Sequence, residues 1–247
     1  MNSSKLNLNL RTSWPAGASF ILLVFFATLS LYASTYTVIL LTSIFMYIIL
    51  TVSWVIFSGP TGYISFAPAA NVVEFQYLKK EHNTIYYIML TILVLLLLTT
   101  YLIRRSRFGL ALRSIGESEE ASAYLGVNVN LLKTITFSFS AVFMGATGAI
   151  MATRWTYVDP YIAFKLHYSF MPVLMSVFGG MGQLYGPVLG AGIFAILEEL
   201  LITKFPYYYM FTIGLILLIV IVYLPNGLVG LIQKWQKRNP EEQHANP

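Results

Sequence analysis

The charges of this chain are confined to clusters, and between the clusters lie uncharged stretches at residues 12–73, 83–103, 134–153, 166–197 and 205–233. A helix needs about 20 apolar residues to cross a hydrocarbon layer. Each stretch therefore holds at least one crossing, and the first and fourth are long enough for more. A soluble core could not absorb them, because 57% of the 247 residues are hydrophobic and 10% are charged, against roughly 25% charged in an average soluble domain. The expected fold class is all-α: a polytopic transmembrane helical protein. Soluble enzyme and nucleic-acid-binding classes fall away. The net charge of +5 reads as loop charge that sets orientation in the bilayer, and no nucleic acid is implied. The absence of cysteine removes disulfides, thiolate metal sites and thiol nucleophiles.

Residues 1–247 read as one transmembrane domain. Its N-terminal spans occupy 16–57, as helices over 16–32 and 36–57; the first is uncleaved, because its apolar run continues with no clear small-residue cleavage site. Residues 58–70, SGPTGYISFAPAA, combine Gly and Pro in an apolar setting. Such a composition breaks helices and frees backbone groups, tolerated at membrane depth only against protein or a watery cavity. Residues 71–82 form a loop, and 85–103 the next span. The hydrophilic insert at 104–133 carries Arg104, Arg105, Arg107, Arg113 and Lys133, which places it in the cytoplasm. The span at 134–152 crosses outward, and 168–202 must then begin and end outside. It is expected as re-entrant or paired helices turning at Gly179-Gly180-Met181-Gly182, with a first arm too short for a full span. The last span is 207–224, and 225–247 is a cytoplasmic tail. One inconsistency follows from this count: residue 58 lies inside and the span at 85 starts outside, so an odd crossing is missing between them; either the Gly/Pro stretch crosses as a broken helix, or the chain lacks helices between Ala70 and Asn71.

The insert RRSRFGLALRSIGESEEASAYLGVN is the most informative segment. Phe108, Ala111, Leu112 and Ile115 recur at helical spacing opposite Arg107 and Arg113, as in a short helix lying on a membrane face. Ser118 can N-cap a second helix whose first turn carries Glu119 and Glu120, where the helix dipole favours acids, and Gly126 can end it. Spacing alone favours an ordinary helical loop.

Glu120-Ala121-Ser122 followed by Gly126 resembles the Glu-Ala-Ala-x-x-x-Gly coupling motif of binding-protein-dependent ABC importer permeases. FSAVFMGATGAIMA, VFGGMGQLYGPVLGAGIFAILEELL and YLPNGLVGLI narrow the likeness to permeases for branched-chain amino acids, similar to the larger of their two permease subunits, with urea and amide permeases as near relatives. The likeness covers about residues 85–232. It also reaches GPTGYISFAPAA, which resembles the family's Gly-x-x-Gly-x-x-Ser pathway segment, although Ala67-Pro68 stands where the family has Gly-His. Family members continue from that segment through further spans, whereas here Ala70 runs directly into Asn71; the chain is expected to be shortened at the junction where the crossing count fails.

The resemblance implies that Glu120, Ala121 and Gly126 couple to an ATP-binding subunit, with Glu117 and Glu119 as ion-pair partners for its basic residues. It also implies a translocation pathway beside Gly59, Gly62, Ser65, Gly179, Gly180 and Gly182. The implied partners are ATP-binding subunits, a second permease subunit, an extracytoplasmic solute-binding protein and the bilayer of the plasma membrane. No G-x-x-x-x-G-K-[ST] string occurs, so ATP must be bound by another chain; neither a cofactor nor a catalytic set is expected here.

Three further features have structural readings as well as functional ones. Gly182, Gly186 and Gly190 recur every four residues, which fits close helix contact as well as a pore-side hairpin. Glu198 and Glu199 read as an interfacial pair with Lys204 as counter-ion, or as groups admitting a substrate ammonium. Trp54, Trp155 and Trp235 fall near span ends, as in an aromatic belt. His82 and His167 have no second ligand at metal spacing, and no metal site is expected. Three alternatives stay open: a urea or short-amide permease, a self-contained channel or carrier, and a shortened scaffold that moves nothing.

Overall fold

A computed structural model of the chain describes residues 24–30, 32–62, 82–153, 166–182, 185–223 and 227–230. Ser65, the Ala70–Asn71 junction, Trp155, Trp235 and most of the C-terminal tail lie outside these residues. All regular structure among the described residues is helical: α1 Thr35–Thr61, α2 His82–Arg105, α3 Arg107–Glu117, α4 Glu119–Tyr124, α5 Val129–Ala152, α6 Leu166–Gly179, α7 Tyr185–Lys204 and α8 Tyr209–Tyr223. Residues 24–30 are also helical. Among the described residues four helices, α1, α2, α5 and α7, are long and apolar enough to cross a membrane. The protein is an all-α, polytopic membrane protein.

α1 is the centre of the bundle and touches α2, α3, α5, α6 and α7. It begins at Ser34, whose hydroxyl accepts from the Thr37 amide at 3.4 Å, and every residue from 48 to 56 is buried. A helix apolar on all sides can be buried on all sides, and α1 is enclosed accordingly. Trp54 is 3% exposed, so it belongs to this core and not to an aromatic belt. The sequence reading stopped this helix at residue 57, but it continues through Pro60 to Thr61. Pro60 falls in the last turn, where little helix remains to be disrupted. Gly62 closes the helix in the left-handed region at φ 70°, its amide donating to the Ser58 carbonyl.

Contacts along the helices fix their directions. Phe45, in the first half of α1, stacks against Tyr86 near the start of α2 at 5.3 Å, and the Tyr86 phenol donates to the Phe26 carbonyl at 2.7 Å. At the other end Gly59 and Gly62 of α1 share a cavity with Thr100 and Arg104 of α2. α1 and α2 therefore run parallel. This is the arrangement that demands an odd crossing between them, and the residues that would supply it, 63–81, lie outside the described set. Phe57, late in α1, meets Phe137, early in α5, at 5.3 Å, which makes α5 antiparallel to both.

α6 and α7 pair with one another and with α1. The Thr51 hydroxyl of α1 donates to Met175 Sδ of α6 at 3.7 Å, and the Tyr36 phenol at the start of α1 donates to Glu199 near the end of α7 at 3.1 Å. The turn between α6 and α7 thus lies at the same end of the bundle as α3 and α4. α6 has 14 residues; at 1.5 Å per residue it rises about 21 Å, short of a hydrocarbon core of about 30 Å.

Candidate functional site

The insert folds as two short helices set end to end. Ser106 caps α3 by accepting from the Gly109 amide at 3.3 Å, and Ser118 caps α4 by accepting from the Ala121 amide at 3.3 Å. The end of α4 is a Schellman turn: the Val127 amide donates to Ser122 O at 3.1 Å and the Gly126 amide to Ala123 O at 3.0 Å. Gly126 itself has φ 83°, where a β-carbon is strained.

The two helices differ in attachment. α3 turns Gly109, Leu112 and Ile115 inward and rests on α1 and α2. Its surface is a bundle of helix ends, a more specific seat than the membrane face expected from periodicity. Gly116 makes the closest approach: a β-carbon there would run into the Pro60 carbonyl oxygen of α1. α4 turns only Ser122 inward, and Glu120, Ala121 and Tyr124 are exposed. Glu119 is engaged within the chain, since Lys133 at the start of α5 pairs with it at 2.6 Å. Its carboxylate therefore anchors α4 to α5, which competes with the docking role the resemblance implied.

A cavity of about 530 Å³ lies between α3, the C-terminal turns of α1 and α2, and the α6–α7 turn. Its wall brings together Gly59, Gly62 and Gly182 from the implied pathway set and Glu117 from the implied coupling set, with Arg104 and Arg113. Glu117, implied by the resemblance as an ion-pair partner for another subunit, is exposed and lines this cavity. Gly179 and Gly180 are not in its wall. They are buried in the α6–α7 contact, where a β-carbon on Gly179 would strike the Gly186 carbonyl and one on Gly186 would strike the Gly180 carbonyl. Gly190 likewise faces the Met175 carbonyl and the Gly179 backbone. Of the fourfold stripe, Gly186 and Gly190 serve close helix contact, while Gly182 sits exposed in the turn.

Sequence reasoning missed Arg104, Arg113 and Gly116. Arg113 and Glu117 stand one helical turn apart on α3, a spacing that puts them on one face; nothing in the sequence says that this face overlooks Arg104. Glu198 is 5% exposed, and the partner found for Glu199 is the Tyr36 phenol rather than Lys204. Among the described residues no group of three or more His, Asp or Glu could hold a metal ion.

The family described as "Branched-chain amino acid transport system / permease component" matches residues 13–221. The high-affinity branched-chain amino acid transport system permease protein LivM of Salmonella typhimurium is 29% identical over 147 residues, which is 60% of this chain and 34% of that protein. BraD of Pseudomonas aeruginosa, of the same printed description, is 25% identical over 172 residues, 69% of this chain and 53% of that protein. The xylose transport system permease protein XylH of Haemophilus influenzae is 28% identical over 127 residues, 50% of this chain and 34% of its own length. The matches thus span about a third of LivM and about half of BraD. No solved structure matches the chain.

Proposed function

We propose a function from one premise: the chain belongs to the branched-chain amino acid transport permease family. It is a membrane permease component of the ABC type and not an enzyme. On our reading it is a subunit of an ATP-driven importer that carries branched-chain amino acids across the plasma membrane. It works with ATP-binding subunits, a second permease and an extracytoplasmic solute-binding protein. The α3–α4 insert and the C-terminus face the cytoplasm in this reading, because five basic residues cluster in the insert.

The observation that carries the proposal is the contrast between the two short helices. α4 ends in a defined turn and presents Glu120 and Ala121 to its surroundings; α3, continuous with it through Ser118, is seated on Pro60 of the central helix. A push on α4 is therefore delivered through α3 to the end of α1, where the cavity lies. The amino acid substrate is carried over from the names of LivM and BraD, and the likeness to a xylose permease supports reading the matched segment as machinery shared across substrates.

The test is Gly126→Phe in the membrane complex. The expected result is an inserted complex in which ATP hydrolysis persists while ATP-driven leucine uptake into proteoliposomes is lost. Unchanged uptake would remove α4 as the coupling element.

A further inference from the structure

The cavity beneath α3 holds an arrangement of charge that the coupling role does not use. Arg104 enters from the end of α2, while Arg113 and Glu117 enter from one face of α3. Both guanidiniums line the same cavity. Among the described residues the ion pair the structure gives is Lys133 with Glu119, and Arg104, Arg113 and Glu117 make none. Two cations and an anion thus line one partly enclosed space and offer charges of both signs to a ligand. A ligand carrying both signs would match them. The rest of the wall includes Val55, Ile56 and Leu112, which is apolar. At about 530 Å³ the cavity has the volume usual for a small-molecule site.

The geometry points to a binding station for a zwitterionic amino acid with an apolar side chain. Arg104 and Arg113 take the α-carboxylate, Glu117 takes the ammonium, and the side chain lies against Val55, Ile56 and Leu112. Guanidinium is suited to the first task, because its fixed fork of donors matches a carboxylate. Glu117 sets this ligand apart from an anionic lipid headgroup, which the arginines would accept and the glutamate would repel. The station sits at the end of the bundle where α3 is one wall. Since Gly116 seats α3 on Pro60, a displacement of α3 moves Arg113 and Glu117 relative to Arg104 and alters the charge pattern. The inference rests on the importer reading for its substrate, and it adds a specific consequence: the helix that receives the push also forms half of the site, so coupling and release occur in one movement.

The test measures equilibrium binding to the tagged full chain, captured with its membrane partners in phosphatidylcholine nanodiscs. The probes are tritiated leucine and two truncated competitors, isopentylamine, which lacks the carboxylate, and isocaproate, which lacks the ammonium. Arg104→Gln or Arg113→Gln is expected to weaken leucine and isocaproate about tenfold or more, the loss of a hydrogen bond to a charged group, and to leave isopentylamine unchanged. Glu117→Gln should give the reverse pattern, weakening leucine and isopentylamine and sparing isocaproate. A misfolded variant would lose all three compounds alike, so the crossed pattern separates a site from a structural role. Binding that is unchanged in all three variants, or lost uniformly, overturns the inference. Arginine-dependent retention of added phosphatidylglycerol without leucine binding also overturns it, by making the cavity a lipid site. Uptake assays separate the two proposals: leucine uptake without the crossed pattern removes the station and leaves the importer, whereas the crossed pattern without ATP-driven uptake keeps the station and removes the importer.

Discussion

Glycine does two different jobs in the hairpin and in the coupling insert. Between α6 and α7 it removes side chains so that backbones can touch: Gly179, Gly186 and Gly190 each face carbonyl or backbone atoms of the opposite arm. At the end of α4 it supplies a backbone shape, because Gly126 has φ 83° and nothing within 4 Å of where a β-carbon would stand. The first job depends on what lies across the helix pair, and the second on the chain's own turn. The hairpin should therefore fail under bulk at Gly179, Gly186 or Gly190, while the insert should tolerate bulk at Gly126 sterically and suffer only conformational strain.

The largest effect is expected for Gly190→Leu, which drives four carbons into the Met175 carbonyl and the Gly179 backbone. Overpacking of this kind costs about 3 kcal/mol or more where backbone must move. Its thermal unfolding midpoint in detergent should fall well below that of the wild type, and an unchanged midpoint would break the hairpin half of the comparison. Gly116→Val comes next, at about 1–3 kcal/mol, because the Pro60 carbonyl blocks its β-carbon. Here the readout is local: limited proteolysis should cut near residues 106–118 faster than in the wild type, and equal rates would mean that α3 does not depend on this seat. Gly126→Ala should cost about 1 kcal/mol through its left-handed conformation alone, seen as a small drop in midpoint with the proteolysis pattern of α3 preserved. Gly192→Ala should reverse the sign. Gly192 is inside α7 with no neighbour within 4 Å, and replacing a helical glycine by alanine in open space gains up to about 1 kcal/mol. A destabilised Gly192→Ala protein would show that the glycines of α7 are not divided as described.

Much of this architecture was legible before any coordinates. Uncharged gaps gave the long helices, because a charge in hydrocarbon is costly enough to be excluded from most of their length. Ser118, the two glutamates after it and Gly126 gave α4 with its start and stop, since caps are local chemistry. The missing crossing gave the parallel course of α1 and α2, because loop charge reports side and side is a matter of parity. What escaped was whatever depends on a distant neighbour. Pro60 and Gly59 looked like a helix break at residue 58, yet the turn forms because only its last residues lack partners. Gly179 and Gly180 drew attention as pathway residues through resemblance, and the close contact they make across the hairpin could be seen only with both arms in place. Arg104 and Arg113 lie nine positions apart with a bend between them, so only the seating of α3 on α1 reveals that they overlook the same space. Glu119 found its partner at Lys133, 14 residues on, beyond the reach of any single-helix pattern.

The enclosure of α1 carries a consequence for how the chain acquires its shape. α1 is synthesised before the helices that wrap it, and its contact from Tyr36 to Glu199 joins residues 163 positions apart. Until α7 has been made, part of the surface that α1 will bury has no protein to bury it. The central helix is made before most of its neighbours and closed in only when α7 arrives. Assembly of this bundle is thus governed by long-range closure, a slow class of folding step, and its incomplete form is one in which the future core is the exposed part.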